Sequence, residues 1–162
     1  MATRHVFKPL AAEFPTSAFA LLDKINARPV LRYDAATDWS AYWTDSAPQG
    51  LTGTITVVIT YMMASATSGA VRFQAQLEAI TDNDALDLDA TTSFDTANSA
   101  GETVPGTAGY ISQLSITMTN ADSIAAGDYF RLSINRDADG TSGTDDAAGE
   151  CYVLLVELRD TV

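Results

Sequence analysis

The chain has 162 residues, 46% apolar and 19% charged, and carries a net charge of −12. That composition suits one globular domain with enough length to bury a core without staples. The acidic balance excludes the usual nucleic-acid binder, whose phosphate contacts need Lys and Arg. A single cysteine (Cys151) excludes an internal disulfide and a cysteine zinc site, and a single histidine (His5), near the N-terminus, removes most metal-hydrolase and Ser–His or Cys–His triad readings.

The charge is unevenly spread. Residues 1–32 hold five basic and two acidic groups, while the remaining 130 hold four basic and nineteen acidic groups. No apolar run reaches the roughly eighteen residues of a membrane span. The opening "MATRHVFKPLAAEFP" lacks the apolar stretch of a signal peptide. The expectation is a product kept or assembled in the cytoplasm, with no membrane partner.

Residues 1–27 read as a leader. Thr16 or Ser17 can cap a short helix through about Lys24. Two turns are too short to stand alone, so the leader must lie on its own body or on a partner. In the second case it is an extended N-terminal arm. Phe7, Leu10, Phe14, Phe19 and Leu22 would then supply its apolar contacts, and Arg4 and Lys8 its charge.

From Arg28 onward the pattern changes to period two, and residues 28–162 read as a β-sandwich domain. Strands are expected at 29–34 and 39–44. They continue at 52–64, where Ile55, Val57, Ile59, Tyr61 and Met63 share a face, and at 71–79, where Val71, Phe73, Ala75, Leu77 and Ala79 do. A short strand near 92–97 follows, then 110–119, 128–136 and 151–159. Gly/Asp/Ser turns separate them, with no helical stretch between. Eight such strands predict an all-β, antiparallel sandwich of jelly-roll type, whose pairing order one sequence does not fix.

The last strand breaks the alternation. Tyr152, Leu154, Val156 and Leu158 are apolar on one face, Cys151, Val153 and Leu155 on the other. A half-wet sandwich strand should not read this way, so the leader or a neighbouring subunit must cover it; an oligomer is favoured, with Val153 and Leu155 at its interface. Cys151 itself reads as a buried, inert thiol.

Few constellations carry chemistry. Asp137, Asp139, Asp145 and Asp146 in "RDADGTSGTDD" supply oxygens around glycines, the raw material of a calcium loop without the EF-hand spacing. The competing reading is an exposed turn. "TDNDALDLDA" (81–90) reads as a solvated loop. No phosphate-binding glycine motif is present. No carboxylate pair stands out and no general base accompanies the serines, so no catalytic residues and no cofactor are expected. Trp39, Tyr42 and Trp43 offer aromatic surface for a sugar. On a strand Trp39 and Trp43 share one face and Tyr42 lies opposite with Ser40, so one set belongs to the core.

Four stretches in order, "FKPLAAEFP", "RPVLRYDAATDWSAYW", "LTGTITVVITYMMASATSGAVRFQAQLEAI" and "IAAGDYFRLSINRDADG", resemble the small β-sandwich virion proteins of tailed bacteriophages. The motif matches are Arg28–Thr37, Ala64–Phe73 and Ile124–Asp137. The resemblance implies a jelly-roll-like trimer on the virion surface, with the major capsid protein or other virion proteins as partners. It implies no catalytic residue. On this reading the protein is a capsid decoration (cement) protein gripping the head through residues 1–27. The alternative is a tail-appendage receptor-binding or carbohydrate-binding module.

Overall fold

The computed structural model describes residues 1–161. Ten strands form two antiparallel sheets: β1 (Ala2–Phe7), β2 (Leu21–Ile25), β3 (Arg28–Tyr33), β4 (Trp39–Ser46), β5 (Ile55–Met63), β6 (Ala70–Ile80), β7 (Asn98–Thr103), β8 (Ser112–Thr117), β9 (Tyr129–Arg136) and β10 (Cys151–Asp160). The larger sheet runs β2-β3-β10-β5-β8 with β1 also on β10, and the smaller runs β4-β9-β6-β7.

The fold is a β-sandwich, and the eight body strands from β3 to β10 pair as first with eighth, second with seventh, third with sixth, and fourth with fifth. This is a long hairpin rolled over on itself, the pairing of a jelly roll. The inward residues are those the period-two pattern selects. Val57, Ile59, Tyr61 and Met63 from β5 face Val71, Phe73, Ala75 and Leu77 from β6 and Phe130, Leu132 and Ile134 from β9 across one core. The tyrosine hydroxyls are satisfied there: Tyr33 donates to the Ile134 carbonyl at 3.2 Å and Tyr61 to Glu102 at 2.7 Å.

The expected strand near 92–97 forms later, at Asn98–Thr103. The 92–97 stretch is instead tied to β6 by single contacts. Asp95 N–H donates to the Leu77 carbonyl at 2.9 Å, and the Gln76 amide donates to the Asp95 carbonyl at 3.0 Å.

The leader is part of the sandwich. No helix forms over residues 16–24. Ala18 takes a positive φ of 52°, and Leu21–Ile25 pairs with β3 through a two-residue turn at Asn26 and Ala27, with φ of 46° and 65°. Positive φ at both central residues is the turn geometry whose twist suits a tight hairpin. β1 pairs with β10 from Ala2↔Asp160 to Phe7↔Val156. Phe7 is only 3% exposed, packed 5.9 Å from the Trp43 ring and 6.1 Å from Phe130. Arg4 donates to Asp160 at 2.8 Å, and the Lys8 carbonyl accepts from the Trp43 indole at 3.0 Å. The division into an arm (1–27) and a body (28–162) is therefore corrected: a hairpin crosses that boundary, and Phe7 and Arg4 are intramolecular contacts.

The two-faced last strand has a local cause. Along β5, Val153 pairs with Tyr61 and Leu155 with Thr60, so Leu154 is an extra residue in β10. A bulge of this kind flips the parity of a strand. Before it, Cys151 and Val153 point inward; after it, Val156 and Leu158 do, and all four are fully buried. The bulge lies where two strands meet end to end on the other edge of β10: β3 pairs with 151–153 and β1 with 156–160. Val153 is thus a core residue and not an oligomer contact, and Leu155 is half-buried beside the bulge. Burial in the core pushes the Cys151 thiol well above its ordinary range.

Candidate binding face

Strand alternation sends the apolar half of the smaller sheet into the core and leaves a polar outer face. Trp43 is buried and Trp39 packs against the core, so neither tryptophan faces outward. Register aligns Ser40 (β4), Asn135 (β9), Gln74 (β6) and Ser99 (β7) in one row. Tyr42, Ser133 and Gln76 form the next row, and Thr44, Arg131 and Glu78 the third. Neighbouring strands lie about 4.8 Å apart, so a row of four spans about 14 Å.

The leader extends this face. Glu13 bridges Tyr42 and Phe19 bridges Ser40, which continues the first two rows beyond β4. Phe19 stands at the end of the Ser40 row, 37% exposed and 6.1 Å from the ring of Phe14, itself 41% exposed. The two rings, expected as grips for a partner, form a wall beside the hydroxyl and amide floor.

The third row is locked. Arg131, Tyr42 and Phe94 make a triangle, with the guanidinium carbon 5.2 Å from each ring centre and the rings 5.6 Å apart. Such cation–π contacts hold a cation at roughly 0.5–2 kcal/mol. Arg131 also pairs at 3.3 Å with Glu78, which is 1% exposed and accepts from the Ser93 N–H and hydroxyl. This cluster closes one end of the face with residues of the 81–97 stretch.

The other end is closed by the loop after β9. Arg72 reaches Ser99 at 3.1 Å. The backbone of Gly143 lies over its guanidinium so closely that a Cβ there would fall 2.5 Å away. Arg136, 0% exposed, anchors the same loop: it donates to both Asp145 oxygens at 2.8 and 3.0 Å, and to the carbonyls of Asp34, Ala147 and Gly149.

Between the closed ends lies the open floor. Asn135 donates to Ser40 at 3.0 Å, yet its buried carbonyl oxygen finds no hydrogen-bond partner in the protein. A buried acceptor left unpaired costs about 1–3 kcal/mol. Asn135 lies beside Gln74, Ser40 and Ser133.

The four aspartates read as a calcium loop are separated. Asp145 is consumed by Arg136, and Asp146 accepts from the Ala70 N–H at 2.6 Å. Asp137 and Asp139 are joined instead by Asp38, with oxygens of the three within 4.8 Å. Burial, then the charges of Asp139 and Asp137, pushes the Asp38 carboxyl up. Burial raises Asp137 too, but donors from Ser142 and Thr141 more than offset it, so its carboxyl lies below the ordinary range. Asp38 lies 99 positions from Asp137, and no local spacing could have exposed it.

No family model matches the chain, and no curated protein matches it. Solved structures do. A family 35 carbohydrate-binding module from Clostridium thermocellum matches at a TM-score of 0.55 and 12% identity, over 99% of this chain and 100% of that one. The xylan-binding CBM22-1 domain of Xyn10C from Paenibacillus barcinonensis matches at 0.51 and 10%, over 99% and 97%. At such identities the likeness is one of fold.

These comparisons overturn the capsid-decoration expectation. Both of these full-length matches are carbohydrate-binding modules, not capsid or cement proteins. The two features that supported a trimer on a capsid also have other causes: the supposed arm is two strands of the sandwich, and the second apolar face of the last strand is a bulge.

Proposed function

We propose that the chain is a non-catalytic β-sandwich module that binds carbohydrate across the outer face of its smaller sheet. The observation that carries this is the open row of Ser40, Asn135, Gln74 and Ser99, ending in the exposed ring of Phe19. A sugar presents hydroxyls that both donate and accept, and C–H faces that are apolar. Carboxamides and serine hydroxyls answer the first with both donor and acceptor. An aromatic ring with one wet face answers the second. Glu78 and Arg131 satisfy each other and brace the floor, which suits holding a ligand better than transferring protons.

The fold likeness to modules that bind carbohydrate supports the same reading. The test is native electrophoresis through gels containing xylan, β-glucan, galactan or mannan. Retardation in at least one gel is expected, reduced by Phe19→Ala. Equal mobility in all four gels would count against the proposal.

A further inference from the structure

A second surface lies on the opposite side of the chain's charge pattern. Arg4, Arg32, Arg131, Arg136 and Arg159 each have a carboxylate partner. Among the described residues, Lys8, Lys24, Arg28 and Arg72 are the lysine and arginine side chains outside these ion pairs. Three of those four surround one apolar region, in a protein of net charge −12.

That region is a set of adjoining concavities around the β2–β3 hairpin. One, of about 320 Å³, has Val6, Leu10, Leu154 and Leu155 in its walls, with Lys8 and Arg28 beside them. It shares Arg28 and Leu154 with a second of about 380 Å³, which adds Ile25, Met62 and Ile111. It shares Leu10 and Pro29 with a third, which adds Leu22, Lys24 and Asp23, whose carboxylate lies 3.7 Å from Arg32. Leu10 is 71% exposed, Ile111 61% and Leu22 50%. The bulge creates part of this surface by turning Leu154 and Leu155 away from the core.

We propose that this groove docks a segment of another polypeptide that combines leucine-like side chains with aspartate or glutamate. The apolar walls take the first and the three unpaired cations the second. Charge complementarity selects this occupant. A flat anionic membrane would meet the repulsion of the whole acidic body, and so would a second copy of the chain, whereas a short segment meets only the local rim, where Lys8, Lys24 and Arg28 outnumber Asp23. The inference is independent of the carbohydrate site, which lies on the other sheet.

The test is fluorescence anisotropy with a labelled decapeptide of alternating Asp and Leu, and with its Asn/Leu counterpart. The Asp/Leu peptide should bind saturably and weaken with salt. The Asn/Leu peptide should bind at least about tenfold more weakly, and so should the Asp/Leu peptide to the K24E/R28E chain. Leu10→Ser, at an exposed position, should also weaken it, with the thermal unfolding of both variants unchanged. An Asn135→Ala chain should bind the peptide normally. Four results would overturn the proposal: no saturable peptide binding; equal binding by K24E/R28E; capture of the chain by phosphatidylserine vesicles in place of the peptide; or self-association in light scattering that K24E/R28E abolishes.

Discussion

Val153 and Leu155 are two residues apart and look equivalent in sequence, but the bulge at Leu154 assigns them to different environments. Val153 is 0% exposed and pairs opposite Tyr61, while Leu155 is half-buried. Val153→Asp removes a buried valine, worth about 1.5–3 kcal/mol. It also places a carboxyl with no partner in the core, at roughly 2–7 kcal/mol. The sum of about 4 kcal/mol or more is a large share of the 5–15 kcal/mol typical of a domain. Leu155→Asp can turn its carboxylate to water, so it loses part of one leucine's burial, about 1 kcal/mol. A difference of about 3 kcal/mol corresponds to roughly 6–12 °C in melting temperature for a chain of this size. Urea unfolding followed by tryptophan fluorescence measures it directly. Two variants within about 1 kcal/mol of each other would refute the bulge as the origin of the two-faced strand, because a regular strand would make both positions alike.

Arg136→Met should destabilise the fold by about 3–5 kcal/mol, because Asp145 would stay buried without its cation and three carbonyls would lose their donor. Calorimetry reads this as a fall in melting temperature, and an unchanged value would contradict it. The pH dependence of Arg4→Gln tests the β1–β10 clamp. The Arg4 hydrogen bond, helped by the Thr52 N–H against the opposing pull of burial, holds the Asp160 carboxyl below the ordinary range. A depressed folded value gives stability that is complete above the unfolded value of about 4 and lost as pH falls through the folded one. The gap in urea midpoint between wild type and Arg4→Gln should therefore be present at pH 7 and shrink below about pH 4. A gap that is constant with pH would refute the clamp.

The parts of the fold legible in the sequence are those set by strand periodicity. Val71 to Ala79 alternate because one face of β6 is core and the other wet, and the same rule places Tyr42 opposite Trp43. The jelly-roll pairing needed the three-dimensional structure, because the partners of β10 are β1, β3 and β5, far away in the chain. The leader misled for a different reason. A short apolar run between prolines suits a strand or a short helix equally, and the sheet partner that decides between them is distant. The bulge was visible only as an anomaly: apolar residues on both faces of 151–158 fit either an interface or a change of parity. At the candidate face, Tyr42 was legible as an outward aromatic. Asn135 and Gln74 were not, since a polar residue on an outer strand face carries no local mark of what it adjoins. Their meaning comes from register, which aligns them with Ser40 and with Phe19 of the leader.

The central claim is that carbohydrate binds on the Ser40–Asn135–Gln74–Ser99 row, and calorimetric titration tests it most directly. An oligosaccharide of whichever polysaccharide retards the chain is titrated into wild type and into Asn135→Ala/Gln74→Ala. The account predicts saturable binding to wild type and a loss of at least about tenfold in the double variant, about 1.4 kcal/mol, with the far-ultraviolet circular dichroism of the fold retained. Equal affinity in both proteins would contradict it and move the site elsewhere on the sandwich.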